Sequence, residues 1–198
     1  MTGRDVKALI LETLRDPQAA ARRIIAVDLP PQAGWLGLAL VSVLALLMLR
    51  MTLMAFGGDE MLNPAGLAMR HPLWGAVFQA GFVLLTACGM AWAGRMFGGN
   101  GRFQDALFLV VWLQFILVLV SAVQFVALLI LPPVGGIIAL LSIPLFLWLL
   151  VSFTAALHGF SNLLLVLLGL IGAFFATAIL VAILLTFAGI DPQLFAPV

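Results

Sequence analysis

Charged residues are scarce in this chain of 198 residues, since Asp, Glu, Lys and Arg make up 9% of the sequence and hydrophobic residues 65%. Soluble globular proteins average about 25% charged and 45–50% apolar residues. A soluble fold of this length could not bury the apolar surface that a mean hydropathy of +1.26 implies. The composition therefore excludes a cytosolic enzyme, a disordered chain and a nucleic-acid-binding protein, and it indicates a polytopic helical membrane protein.

The residues that support metal, redox or hydrolytic chemistry are also scarce. Cys88 is the only cysteine, which excludes an intramolecular disulfide. The two histidines, His71 and His158, are far apart in sequence, and the chain contains no His-x-x-x-His, Cys-x-x-Cys or Gly-x-Ser-x-Gly motif. The sequence predicts no metal site, no cofactor and no catalytic residues, and we interpret the protein as non-enzymatic.

Five apolar stretches are long enough to cross a bilayer, which requires about 20 residues each. They are separated by polar, glycine-rich or proline-containing breaks, and alternation typical of strands is missing. The predicted fold is all-α: a bundle of five transmembrane helices in a domain of residues 33–190, preceded by a cytoplasmic amphipathic helical segment (1–32) and followed by a short tail (191–198). The predicted spans are 34–56, 73–97, 106–131, 134–157 and 163–188.

The distribution of Lys and Arg predicts the orientation of these spans. The segment before the first span and the loop after the second contain seven basic residues, whereas the opposite side contains two. Because cytoplasmic loops carry the excess of Lys and Arg, we expect a cytoplasmic N-terminus and a C-terminus on the opposite side of the membrane. The expected location is a bacterial inner membrane.

The N-terminal segment contains one amphipathic helical pattern. Val6, Leu9, Ile10 and Leu14 recur at spacings of three and four residues and form one apolar face. Two interpretations remain open and are compatible with each other. The face could lie in the lipid headgroup region, or it could bind a protein partner.

Neutral polar residues lie within the second and third spans. Gln79 is in the second, and Gln114, Ser121 and Gln124 are in the third. They are explained either by hydrogen bonds between helices, worth about 0.6 kcal/mol each on average, or by a polar groove for a solute or a lipid headgroup. In the fifth span, small residues at four-residue spacing are typical of close helix packing; these are Gly169, Gly172, Ala173 and Ala176.

Two short turns contain residues that could be mistaken for a site. Residues 158–162 (His-Gly-Phe-Ser-Asn) are interpreted as a polar turn, with a glycine ending one helix and Asn162 or Ser161 beginning the next. The glycine-rich segment 98–101 is flanked by Arg95 and Arg102, but it lacks the Lys-Ser/Thr pair of a phosphate-binding loop. We interpret it as a flexible turn with cytoplasmic positive charges.

The segment 98–107 (Gly-Gly-Asn-Gly-Arg-Phe-Gln-Asp-Ala-Leu), continuing into 111–115 (Val-Trp-Leu-Gln-Phe), resembles a glycine-rich turn and helix start found in the YIP family of Ypt/Rab-interacting membrane proteins. The order of an N-terminal segment, five spans and a short tail is also similar to that of short bacterial members. The resemblance implies a non-catalytic integral membrane protein that binds other proteins or shapes membranes.

Two functional hypotheses follow. The first is a membrane scaffold or protein-interaction partner, embedded in the lipid bilayer and associated with a membrane-protein partner or a second copy of itself. The alternative is a small-solute or lipid transporter, or a subunit of one, that uses the polar residues of the second and third spans.

Overall fold

The computed structural model describes residues 3–56, 72–96 and 98–187. All seven regular elements in these ranges are α-helices. In chain order they are α1 (Gly3–Arg15), α2 (Pro17–Ala26), α3 (Pro31–Phe56), α4 (Pro72–Met96), α5 (Phe103–Ile130), α6 (Pro132–His158) and α7 (Leu163–Phe187).

Four of these helices, α3 to α6, are long and apolar enough to cross a membrane by length and composition. In α7, the described apolar stretch Leu163–Ala176 is shorter. Apolar residues occupy every face of these helices rather than one stripe, which is typical of segments surrounded by lipid or protein on all sides. Four candidate spans are therefore found among the described residues, where the sequence predicts five.

The long helices begin within three residues of the predicted positions, and each boundary has a local cause. Pro132 begins α6 because proline fits the first helical turn. Gly159 ends it with a φ of 74°, a left-handed conformation that glycine adopts without a Cβ clash. Several predicted regions lie outside the described residues: the loop 57–71, the span ends at 97 and 188, and the tail 191–198.

Helix α5 is at the centre of the bundle and packs against α3, α4 and α6. Its buried side chains include Leu109, Leu113 and Ile116, which share one cluster with Leu149 and Phe153 of α6. Helix α7 packs against α4 and α6 at the edge of the bundle. Burial of these side chains against one another, rather than hydrophobic exclusion from water, holds the helices together within lipid.

Helices α1 and α2 form an N-terminal helical pair that packs on the bundle. Asp16 separates them: its carboxylate accepts a hydrogen bond from the Ala19 N–H at 2.9 Å, and Pro17 occupies the first turn of α2. Ala20 and Ala21 are fully buried where α2 contacts α5 and α6. The pair therefore packs on the bundle through α2.

Candidate functional site

The polar elements of the described chain meet at one end of the bundle. The N-terminal helical pair, the loop between α4 and α5, and the turn between α6 and α7 are all linked there by long-range hydrogen bonds. This polar end is the candidate functional site, because it concentrates the described side chains that are neither apolar nor lipid-facing.

Thr13 connects α1 to α5. Its side chain is fully buried; the hydroxyl donates to the Leu9 carbonyl at 2.7 Å and accepts from the Trp112 indole N–H at 3.0 Å. Trp112 also contacts Phe115, with ring centroids 5.4 Å apart. Trp112 is half-buried, and an indole N–H removed from water usually has a hydrogen-bond partner, so this contact helps to fix the position of α1 on the bundle. Sequence reasoning missed both residues, because neither belongs to a recognisable motif.

Helix α2 and the segment after it are held by further polar contacts. Arg23 forms a salt bridge with Glu12 at 2.9 Å, which links α2 to α1 across an exposed surface. The Gln104 side-chain amide donates to the Leu29 carbonyl at 3.1 Å and ties the segment before α3 to the first turn of α5. An exposed salt bridge contributes only about 0–1 kcal/mol, so the buried contacts dominate this attachment.

The predicted apolar face of α1 is divided between the bundle and the outside. Leu9 is buried, Val6 and Ile10 are half-buried, and Leu14 is 44% exposed. Leu11 is also 51% exposed, so the outer face of α1 presents two leucines one helical turn apart. The exposed cations Lys7 and Arg15 lie on either side of them in sequence.

His158 is the buried centre of the polar end. Its Nδ1 accepts a hydrogen bond from the Gly101 backbone N–H at 3.1 Å, and its Nε2 lies 3.0 Å from the Met90 carbonyl oxygen. Because Nδ1 accepts, the ring proton is on Nε2, which donates to Met90. Phe160 stacks on the imidazole with centroids 5.5 Å apart. One side chain therefore joins the end of α6 to α4 and to the loop before α5.

Three glycines surround the His158 ring and form what we call the glycine pocket: Gly94, Gly99 and Gly101. A Cβ atom added at any of them would overlap the imidazole. The predicted flexible turn at 98–101 is thus a tightly packed element. Its glycines are needed for close approach to His158 as well as for the turn, which at Gly98 has a φ of 83°. No local signal in the sequence points to this contact, because the glycines and His158 are far apart along the chain.

The turn after His158 has the predicted capping role. The Asn162 side-chain oxygen accepts from the N–H groups of Leu164 and Leu165 at 3.0 and 3.3 Å. This is the pattern of an N-cap that satisfies the free donors of the first turn of α7. The same geometry leaves the Asn162 amide NH₂ directed away from those donors.

The structure does not join the predicted intramembrane polar residues into one site. The side chains of Gln79, Gln114, Ser121 and Gln124 are half-buried, and within the described ranges no hydrogen bond links any of them to another. A polar groove through these residues stays a prediction.

An apolar groove of about 640 Å³ lies between α4, α6 and α7. Its lining includes Trp92 and Gly94 of α4 and Thr154 of α6, with Ser161 and Asn162 at one end. The small residues of α7, for which close helix packing stays a prediction, line this groove: Gly169, Gly172, Ala173 and Ala176. A Cβ at Gly172 would meet no atom within 4 Å. The stripe of small residues therefore contributes to a cavity in this chain.

Among the residues that the structure describes, no group of three or more His, Cys, Asp or Glu side chains is arranged to hold a metal ion. His158 is occupied by two backbone partners and so lacks a free ring nitrogen. The polar end has the character of a packed structural junction with exposed charged and apolar surfaces around it.

The Yip1 domain family model matches residues 11–188. The chain belongs to the Yip1 domain family. This match covers α2 to α7 and the last five residues of α1, so the Yip1 domain contains Thr13, Trp112, His158 and the glycine pocket. The Yip1 family is a non-enzymatic membrane family, and the match supports an integral membrane location. No curated protein and no solved structure matches the chain.

Proposed function

We propose that this Yip1 domain is a membrane scaffold or protein-interaction partner that binds another membrane protein through the outer face of α1. The observation that carries the proposal is the pair of exposed leucines, Leu11 and Leu14, on a helix whose opposite side is fixed to the bundle through Thr13 and Trp112. An ordered helix loses little conformational entropy on binding, which favours recognition by a partner.

The chemistry of this face favours a partner with an apolar patch rimmed by acidic groups. The two leucines supply apolar contact area, and the flanking Lys7 and Arg15 supply positive charge. Glu12, which could oppose that charge, is already paired with Arg23. A partner of this kind, or a second copy of the chain with a suitable surface, would cover the two leucines and pair with the flanking cations.

The proposal includes a topology. The polar end contains α1, α2 and the loop with Arg95 and Arg102, so its excess of basic residues supports a cytoplasmic location by the positive-inside rule. Helix α7 spans 25 residues without a charged residue, or about 37 Å at 1.5 Å per residue, which is sufficient for a fifth span. The C-terminus would then lie on the opposite side, and a bacterial inner membrane is the proposed location.

Site-specific photocrosslinking in intact membranes tests the proposal. A photoreactive amino acid at position 14 should give a discrete protein adduct, identified by mass spectrometry, whereas one at Val27, an exposed position beyond α2, serves as the control. Reversing both flanking charges, K7E with R15E, should reduce the adduct at position 14 without reducing protein levels. Lipid adducts alone at position 14 would contradict protein recognition and favour an interfacial helix.

A further inference from the structure

We propose that the groove between α4, α6 and α7 binds one anionic phospholipid of the cytoplasmic leaflet, with an acyl chain along α7 and the headgroup beside Arg95. The choice of the cytoplasmic leaflet rests on the topology proposed above, whereas the site itself is independent of the partner-binding face of α1, which lies on a different helix. The assignment rests on the polarity and charge of the groove and on the length of its described lining.

The groove has one polar end and an apolar remainder, as an amphipathic lipid requires. Ser161 and Asn162 form the polar end together with the indole of Trp92. Tryptophan is enriched at the level of lipid headgroups. Along α7 the lining then consists of leucine, valine, glycine and alanine side chains. Since Gly172 leaves open space where a side chain would stand, this part of the groove can hold a methylene chain beside the helix.

The described lining of the groove is long enough for an acyl chain. It runs along α7 from Asn162 to Ala176, which corresponds to about 21 Å at 1.5 Å per residue. Half of a bilayer of 40–45 Å, including the headgroup region, is about the same. A lipid whose headgroup lies at Asn162 would therefore contact described lining residues over the depth of about one leaflet.

Charge at the mouth of the groove favours an anionic headgroup over a zwitterionic one. Arg95 lies three residues after Trp92 on α4, which places it on the same helix face and nearer the polar end. Its Nε donates to the Gly101 carbonyl at 3.2 Å, and the residue is exposed. No acidic side chain in the described part of the chain pairs with Arg95, whereas Arg102 is beside Asp105 at 3.6 Å. The Asn162 amide adds a neutral donor for a phosphate oxygen.

Native mass spectrometry of the full chain, released from nanodiscs that contain equal amounts of phosphatidylglycerol and phosphatidylcholine with identical acyl chains, tests the site. The wild type should retain one phosphatidylglycerol in preference to phosphatidylcholine. Gly172→Phe should fill the groove and reduce retention roughly tenfold, equivalent to about 1.4 kcal/mol. Gly136→Phe is the matched control, because its Cβ would also meet open space but on α6 away from the groove.

The headgroup contribution is tested separately. Arg95→Gln should leave a lipid bound but abolish the preference for phosphatidylglycerol, Arg95→Lys should keep the preference, and the exposed Arg22→Gln should have no effect. Ala176→Phe provides a second groove-filling variant if Gly172→Phe does not fold. Three results would overturn the proposal: equal retention by wild type and both groove-filling variants, no headgroup preference in the wild type, or a wild-type dimer that these variants convert to a monomer, which would show that a second copy fills the groove.

Discussion

The glycine pocket provides the sharpest test of the structure. It reverses the sign that the sequence alone predicts for the change in the free energy of unfolding when a helical glycine is replaced by alanine. Gly94 lies within α4, and replacement of a helical glycine by alanine normally stabilises a helix by about 0.5–1 kcal/mol. In the folded chain, however, the new Cβ would overlap the His158 imidazole, which is held from two sides by Gly101 and Met90. Overpacking of this kind costs about 1–3 kcal/mol. We therefore expect Gly94→Ala to destabilise the protein by about 1–2 kcal/mol.

The assay is unfolding by SDS titration in mixed micelles, followed by far-UV circular dichroism, with the free energy of unfolding as the measured quantity. His158→Ala removes the ring that the Gly94 methyl group would strike, but it leaves the Gly101 N–H and the Met90 carbonyl without their partner. We expect a loss of about 1–3 kcal/mol for such unsatisfied groups. In that background, Gly94→Ala should become neutral or stabilising, since the atoms nearest to the new Cβ, which all belong to the His158 ring, are gone.

The double-mutant cycle should thus give a coupling free energy of about 1–3 kcal/mol between positions 94 and 158. Gly136→Ala is the matched control, because it is also helical but its Cβ would meet nothing within 4 Å. It should stabilise the protein slightly in both backgrounds. If Gly94→Ala stabilises the wild type as Gly136→Ala does, or if the two effects at 94 and 158 are additive, the packing of Gly94 on His158 is refuted.

Two further substitutions test the attachment of α1 and the start of α7. Trp112→Phe removes the hydrogen bond to Thr13, worth about 1 kcal/mol, and should accelerate tryptic cleavage after Lys7 and Arg15 about fivefold; the half-exposed Trp35→Phe should leave the cleavage rate unchanged. Asn162→Ala removes the cap of α7 and should lower the free energy of unfolding by about 0.5–2 kcal/mol in the same SDS titration. The neighbouring Ser161→Ala should change it little, and equal losses at both positions would argue against the capping role.

Local signals account for the features that sequence reasoning predicted well. The helix starts at Pro132 and Leu163 and the helix stop at Gly159 follow from proline geometry, an Asn162 cap and a left-handed glycine, all of which act over a few residues. The composition and the long apolar runs were sufficient to identify a helical membrane protein. The segment 98–107 and the order of the spans pointed to the YIP family, which the family match then confirmed.

Contacts between distant segments could not be predicted in the same way. The local sequence of the glycine-rich turn at 98–101 predicts a flexible segment. Only its position against His158 shows that Gly99 and Gly101 are required for packing. Leu14 belongs to the same amphipathic pattern as Leu9, yet one is exposed and the other buried. Helix α1 rests on the bundle through the side that carries Leu9 and Thr13, and Leu14 lies at the opposite edge of the apolar face. Periodicity identifies an apolar face but not which part of that face a neighbouring helix covers.

By itself, the sequence determined that the protein resides in a lipid bilayer, and it determined where the helices lie and end. Long apolar stretches indicate the bilayer, and capping and turn residues set the helix ends through local chemistry. Tertiary structure alone decided which helices meet. It buried His158 among three glycines, assigned the small residues of α7 to a groove, and turned Leu11 and Leu14 outward. In a chain where almost every side chain is apolar, hydrophobicity does not distinguish a helix face that packs on protein from one that contacts lipid. That distinction depends on shape complementarity and a few buried polar contacts, and both arise only when distant segments are brought together.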